Sequence, residues 1–306
     1  MMGIIRTIIK KYNALQYCHR LKRAKLGIVY SFFDCKELIE KSIEQIRDTV
    51  DFICVAYQNE SWYGDKFADN ETIEFLETLK KKRVIDEYFI YDFTESKKTI
   101  QDKKLYGVIG RKRKMAQGLG ILKKNKCTHV MFMDVDEFYD KDEFKKAKEF
   151  IIGNGYTHSA VVMHGYFYKP TFRMLNINNT TVPFILKIKP FKFISAHGMP
   201  CLVDGARCLN FTRIFDKFYF YTHIYMHHMT RVRKNIDDKF NYSDMYAAGV
   251  STDIERQKND YMSLMELVDK YDDKSLLEIF SAKLNMPLVE VEDKFGLNEI
   301  FGFKKK

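Results

Sequence analysis

The stretch that decides the fold is HVMFMDVDEF, residues 129–138. Its first half is an apolar run typical of a buried strand, and Asp134 and Asp136 follow it directly. If the strand stops at Asp134, the chain can turn so that both carboxylates address one site. Hard oxygen ligands at this spacing suit Mg²⁺ or Mn²⁺, although acids also follow strands as ordinary turn residues. We therefore predict a divalent-metal site at this strand end.

Strands and helices alternate on the N-terminal side of this stretch. Repeated βαβ units give a parallel sheet with helices on both faces, and ligands of such sheets bind beyond the carboxyl ends of the strands. The predicted fold class is α/β: a Rossmann-type, mostly parallel sheet flanked by helices, with a helical C-terminal region. Predicted strands span 26–33, 51–57, 84–91 and 129–133, and predicted helices span 36–49, 71–82, 110–125 and 142–152. Residues 164–225 are predicted to form irregular or antiparallel strands.

Three segments are predicted along the chain: a basic amphipathic helix (1–25), a main domain (26–240) and a helical extension (241–306). In the first segment Ile4, Ile5, Ile8 and Ile9 follow helical spacing among several basic residues. Such a helix could lie on an anionic membrane surface. The interpretation favoured by the sequence alone is that its apolar stripe packs on the main domain.

Composition narrows the classes of protein. The chain has 306 residues and a net charge of +10, which suits an anionic partner such as a nucleotide, a nucleic acid or a membrane. Its six cysteines form no CxxC pair, so neither a disulfide framework nor a zinc site is predicted. There is no signal-peptide pattern and no long apolar run. We expect a cytoplasmic protein that can also lie at the periphery of a membrane.

The basic segment RKRKM (residues 111–115), a helix, and then THVMFMDVDEFY (residues 128–139) together resemble glycosyltransferases of the GT-A fold, in particular family-2-like members with a DxD motif. The resemblance covers roughly residues 26–240. It implies a GT-A-like fold, a nucleotide-sugar donor, Mn²⁺ or Mg²⁺ held by Asp134 and Asp136, and a downstream histidine that completes the metal shell. Asp136 is also the first candidate catalytic residue.

The resemblance extends to further site residues. The family often shows an aromatic-rich strand, a histidine and, five residues later, an arginine, and His228 and Arg233 match this spacing. His227 is the competing ligand, and Arg231 or Arg233 is the phosphate contact. The Glu-Asp and Gln-x-x-Arg-Trp motifs of the inverting branch of this family are not found in the sequence, so the candidates for a catalytic base or acceptor contact are Asp204 and His197, chosen by position alone. The positions that would contact the donor nucleotide are Tyr30, Gln58, Asn59, Trp62, Lys112 and Arg113. Trp62 is the only tryptophan, and its polar loop predicts a position outside the core.

These features predict a metal-dependent glycosyltransferase of the hexosyltransferase type, which uses a nucleotide sugar, a UDP-sugar by preference, and a glycan or glycolipid acceptor. Peripheral membrane contact through residues 1–25 is part of this expectation. Modified DNA bases are the second choice of acceptor, since the chain is basic. The alternatives are a nucleotidyltransferase, which also uses paired acids and a metal, and a non-catalytic basic binding module on the same fold.

Overall fold

The apolar runs form strands as the sequence predicts, and the helices lie between them. The computed structural model describes residues 2–62, 69–175, 181–233 and 254–303. Its strands are β1 (Leu26–Phe32), β2 (Phe52–Gln58), β3 (Glu87–Tyr91), β4 (His129–Asp134), β5 (Glu137–Phe138), β6 (His158–Phe167), β7 (Phe172–Met174), β8 (Thr181–Pro183), β9 (Leu186–Lys187), β10 (Phe218–Arg231) and β11 (Leu288–Glu290). Its α-helices are α1 (Met2–Arg23), α2 (Lys36–Ile46), α3 (Asn70–Lys81), α4 (Phe93–Lys97), α5 (Tyr106–Lys124), α6 (Lys141–Gly153), α7 (Ile254–Met265), α8 (Asp273–Lys283) and α9 (Leu297–Phe301).

The first sheet has the strand order β3-β2-β1-β4-β9, in which β1 to β4 are parallel and β9 is antiparallel. Successive side chains of a strand point to opposite faces, so β1 contributes to two cores. Ile28 and Tyr30 pack with α2, α3 and α6 on one face. Val29 packs with Met115 and Leu119 of α5 on the other. The predicted α/β class, with a mostly parallel sheet flanked by helices, is confirmed.

A second sheet, in the order β11-β7-β6-β10-β5, corrects the prediction for residues 164–225. The long central pair β6 and β10 is parallel, whereas irregular or antiparallel strands were expected. The other pairings, of β5, β7, β8 and β11, are antiparallel. A parallel pair joins strands that are distant in sequence, and no local turn signal announces it. β5 follows the acidic motif directly, so the motif lies where the two sheets meet.

Aspartates begin several of the helices. Asp140 accepts hydrogen bonds from the backbone N–H groups of Asp142 (3.1 Å) and Glu143 (3.0 Å) at the start of α6. Asp92 and Asp272 similarly cap α4 and α8. Each cap satisfies an N–H group that has no partner within its helix. The cap at Asp140 matters most for the site, because it ends the segment that begins at Asp134.

The two ends of the chain differ from their predictions. Only the C-terminal part of α1 packs on the protein, through Tyr17 and Leu21, whereas Ile5, Ile8 and Ile9 are exposed. The interpretation that the apolar stripe packs on the main domain is therefore wrong for the first half of this helix. From residue 254 to residue 303 the C-terminal region is largely helical as predicted, but it also contributes β11 to the second sheet. The boundary predicted at 240 lies outside the described residues and stays a prediction. No helix in the described parts of the chain meets the length and hydropathy that a bilayer span needs.

Two glycines of α5 provide a test of how closely this helix approaches β1. A Cβ on Gly118 would lie 2.5 Å from Cγ1 of Val29, whereas a Cβ on Gly120 would meet nothing within 4 Å. Gly118→Ala should lower the free energy of unfolding by about 1–3 kcal/mol through overpacking. Gly120→Ala, the matched control, should raise it by up to about 1 kcal/mol because alanine favours the helix. Urea unfolding of both variants measures this, and equal effects would contradict the close approach.

Candidate active site

The acidic motif forms a turn that connects the two sheets. β4 ends at Asp134 in the first sheet, and β5 begins at Glu137 in the second. The carboxylate of Glu137 accepts a hydrogen bond from the N–H of Asp134 (3.1 Å), and the C=O of Asp136 accepts one from the N–H of Met229 (2.8 Å). The turn is thus stabilised by one hydrogen bond within itself and by another from β10.

This turn lies at the point where the strand order of the first sheet reverses. From β1 the chain adds β2 and β3 on one side and β4 on the other. The crevice beyond the carboxyl ends of such a strand pair is where open α/β sheets bind ligands. Ser31 of β1 pairs with Asp134 of β4, so Asp34, just after β1, enters the same crevice.

Arg233 joins the carboxylates that follow β1 and β4. Its guanidinium lies 2.7 Å from Oδ2 of Asp34 and 2.6 Å from Oδ2 of Asp136. The side chains of Arg233 and Asp136 are each only 4% exposed, so water screens this pair weakly. Between Asp34 and α2, Cys35 adopts a φ of 62°, which L residues seldom do. The predicted site residues Asp136 and Arg233 therefore do lie together.

His228 and His227 take opposite faces of β10. Nε2 of His228 lies 3.5 Å from Oδ1 of Asp136. His227 is buried on the other side, where its Nδ1 shares a hydrogen bond of 2.7 Å with the hydroxyl of Tyr166. Burial, with His164 nearby, lowers the pKa of His227 to about 3. The geometry favours His228 over His227 as the ligand candidate.

Arg207 is the cation at the centre of the site, and sequence reasoning did not assign it a role. It pairs with the buried carboxylate of Glu137 and lies 3.4 Å from Oδ2 of Asp134 and 3.2 Å from Oδ2 of Asp204. Burial by itself would lower the pKa of Arg207, but the carboxylates of Glu137, Asp134 and Asp204 raise it well above the ordinary value. This guanidinium therefore stays charged among the acids.

Asp204 belongs to the same cluster. Oδ2 of Asp204 lies 3.1 Å from Nη1 of Arg111, in addition to its contact with Arg207. Burial would raise the pKa of Asp204, yet Arg207 and Arg111 outweigh it and the pKa is lowered. A carboxylate held in its ionised form by two arginines is a weak proton acceptor. As a contact for an acceptor hydroxyl, Asp204 stays a prediction.

The donor atoms for a metal fit the implied cation in type. Asp134 and Asp136 supply hard oxygens and His228 an imidazole, and these are groups that bind Mg²⁺ or Mn²⁺. Within the described residues, no three acidic, histidine or cysteine side chains are already arranged as a metal site. Arg207 and Arg233 contact the same carboxylates in this structure.

Two predicted nucleotide contacts are corrected by their burial. Tyr30 is fully buried, and its hydroxyl is hydrogen-bonded to Ser42 Oγ (3.0 Å), so it belongs to the core. Gln58 is 1% exposed and bonds the C=O of Glu60 and the ammonium of Lys114. Both lie at strand positions whose side chains point into a helix-covered face. Neither can reach a nucleotide without a rearrangement of the core.

Trp62 is also buried, so the expectation that it lies outside the core is wrong. Its ring packs against Phe93 with ring centroids 4.6 Å apart, and it contacts the backbone of α5 at Gly110. The ammonium of Lys114 lies over the same ring, 5.1 Å from its centroid. The small glycine makes room for the indole, and this contact is not visible in a local sequence pattern.

The remaining predicted residues lie around the crevice. Asn59 connects the ends of β2 and β3: its side chain bonds Asp92 (3.0 Å) and accepts the N–H of Phe93 (2.8 Å). Arg113 is exposed and bonds Ser96 and Thr99. Lys112 is half-buried on α5, and His197 is exposed in the loop before β10. Of the basic cluster at 111–114, Arg111 contacts Asp204. The roles predicted for Asn59, Lys112, Arg113 and His197 stay predictions.

Comparisons with known proteins give structural similarities only. No protein-family model matches the chain, and no curated protein matches it. S. aureus TarS is similar over 85% of this chain, at 13% identity and a TM-score of 0.38, and this chain spans 43% of that structure. Residues 1–349 of TarS, solved in complex with UDP, give 12% identity, a TM-score of 0.35 and coverages of 85% and 71%. GalNAc-T7 with UDP, GalNAc and Mn²⁺ gives 10% identity, a TM-score of 0.35 and coverages of 90% and 56%. At TM-scores below 0.5 these similarities assign no family.

The buried charges of the site yield a stability prediction. Arg207→Gln leaves the carboxylate of Glu137, which is 1% exposed, without its cation, and should lower the free energy of unfolding by about 3–5 kcal/mol. Arg111→Gln, the control, removes a more exposed partner of Asp204 and should cost about 1 kcal/mol. The double variant Arg207→Gln/Glu137→Gln should recover much of the loss. Urea unfolding decides this, and similar losses for Arg207→Gln and Arg111→Gln would contradict it.

His227 yields a prediction on pH. Its pKa is about 3 in the folded protein and near 6.5 when unfolded, so only the unfolded chain takes up a proton between these values. The neutral His227 therefore leaves the free energy of unfolding unaffected above pH 6.5. Below that pH this residue lowers the free energy of unfolding, by about 2 kcal/mol near pH 5. His227→Gln should weaken the fall in unfolding free energy between about pH 7 and pH 5. The exposed His223→Gln should leave that fall unchanged, and an equally steep fall in His227→Gln would argue against the neutral buried state.

Proposed function

We propose that this chain is a metal-dependent glycosyltransferase that transfers a sugar from a nucleotide sugar, a UDP-sugar, to a glycan or glycolipid acceptor. One observation supports this most: Asp134, which Arg207 contacts, and Asp136, which His228 and Arg233 contact, lie at the carboxyl end of β4 beside β1. Ligand-binding crevices of open α/β sheets lie at this position. The choice of uridine rests on the family resemblance.

In this proposal each side chain has a defined task. Asp136 and His228, with Asp134, would hold Mn²⁺ or Mg²⁺, and the bound ion would supply positive charge for the departing nucleoside diphosphate. Arg207 and Arg233 bring permanent positive charge and planar donors, which suit phosphate oxygens. Asp204 would bind and orient a hydroxyl of the acceptor. Catalysis then depends chiefly on positioning and on neutralising the leaving group.

The acceptor and location are proposed from the N-terminal helix. Exposed Ile5, Ile8 and Ile9 stand beside basic residues on α1. Contacts to DNA phosphates are made by cations and do not need isoleucine. A glycolipid lies in a membrane surface, into which exposed isoleucines can insert. We therefore propose that the protein is peripheral at a membrane through residues 1–25, with a glycan or glycolipid acceptor ahead of DNA. Its cytoplasmic location is proposed from the sequence.

Donor hydrolysis tests the proposal. The full chain is incubated with a panel of nucleotide sugars, with Mn²⁺ or with a chelator, and release of nucleoside diphosphate is measured. We expect metal-dependent release with UDP-sugars, and a loss of about 100-fold or more in Asp136→Asn. His228→Gln should raise the concentration of Mn²⁺ needed for half-maximal activity. His227→Gln is the matched control, and it should leave that concentration unchanged.

Each rival predicts a different outcome of the same assay. Release of pyrophosphate in place of nucleoside diphosphate would show a nucleotidyltransferase. A folded chain that hydrolyses no donor and binds no Mn²⁺ would support the non-catalytic basic module. Sugar transfer to modified DNA, with none to glycan or glycolipid, would reverse the order of the acceptors.

A further inference from the structure

The exposed apolar residues of α1 form one row along the helix. Ile8, Tyr12 and Leu15 follow spacings of four and three residues, and each is at least 60% exposed. Tyr17 and Leu21, which pack on α6 and the core, lie on the opposite side at about 100° per residue. The row therefore points away from the protein, where an apolar surface has no partner among the described residues.

The same row continues into a basic cavity at the base of the helix. His19 and Arg23 follow Leu15 at intervals of four residues, and both are exposed, so they lie at the outer rim where this face reaches the protein. With Arg20 and Lys187 they line a cavity of about 190 Å³ between α1 and the first sheet. Nη1 of Arg20 is fixed at its wall by a hydrogen bond of 2.7 Å to the C=O of Gly153.

The charge in this cavity is unbalanced. None of the described residues that line it is acidic, while three are arginine or lysine. Burial lowers the pKa of Lys187, and the neighbouring cations Lys189 and Arg20 lower it further. α1 itself carries six arginines and lysines and no acid. Cations that repel one another around a small cavity are stabilised by an anion that enters it.

We propose that this cavity binds the phosphate headgroup of an anionic lipid while the row Ile8, Tyr12 and Leu15 inserts into the same bilayer surface. The order along one helix face supports this: apolar side chains come first, and the phosphate-binding cations follow where the helix meets the protein. The cavity lies beside Thr128 and His129, at the start of β4, whereas the acidic cluster lies at its end. The lipid site is thus separate from the proposed donor site.

Vesicle binding by the full chain tests this proposal. Co-sedimentation is measured with vesicles of phosphatidylcholine, with and without phosphatidic acid. Arg23→Gln/Lys187→Gln removes two cavity charges, and Lys10→Gln/Lys11→Gln removes two charges of α1 outside it. We expect the wild type to bind only the vesicles with phosphatidic acid, and the cavity variant to lose about 10-fold more affinity than its control. Equal losses would mean diffuse attraction and would overturn the site.

Further measurements distinguish a lipid headgroup from free phosphate as the ligand of the cavity. Ile8→Ser/Leu15→Ser should lose vesicle binding and keep a rise in unfolding temperature on addition of inorganic phosphate, which the cavity variant should lack. Phosphate binding in the cavity without vesicle binding by the wild type would overturn the lipid assignment, and so would DNA binding without vesicle binding. Donor hydrolysis should be unchanged in every variant. A wild type that binds vesicles but hydrolyses no donor would refute the proposed function alone.

Discussion

Arg207 holds together three carboxylates that would otherwise repel one another, those of Asp134, Glu137 and Asp204. Removing these charges from water is costly, and only close pairing offsets the cost. The pairing joins the turn after β4 to a loop about 70 residues later in the chain. Arg207 and Arg233 together contact five carboxylates, so they offset part of the negative charge of the crevice, as the proposed binding of a diphosphate requires.

The register between β5 and β10 determines which histidine meets the acids. Glu137 is opposite His228, and Phe138 is opposite His227. A slip of one residue would exchange the two faces and bury the wrong imidazole. The hydrophobic partners of β5 prevent such a slip: Phe138 is fully buried, and its ring centroid is 5.1 Å from that of Phe295. Packing in the second sheet thus fixes the geometry of the site, although Asp134 belongs to the first sheet.

The parts of this structure that could be predicted are those encoded by local pattern. β1, β2 and β4 are mostly apolar runs buried on both faces, and the position of Asp134 at a strand end follows from the run before it. Burial of Tyr30 and Trp62 depends on which helix covers each face, which the strand sequence does not contain. Arg207 carries no periodic signal. The only indication was indirect: Glu137, inside an apolar segment, requires a cation from elsewhere.

The net charge of +10 has two physically different origins. Around the crevice the arginines are paired with acids, so they contribute little to the electrostatic potential at the protein surface. They interact with a ligand only when it enters the crevice. α1 itself carries six arginines and lysines and no acid, and the field of such exposed cations extends into solvent for about a Debye length. A single charge total cannot separate these cases. The distribution of the charges separates them. The arginines of the crevice suit a small anion bound at short range, whereas the arginines and lysines of α1, beside exposed isoleucines, suit an extended anionic surface.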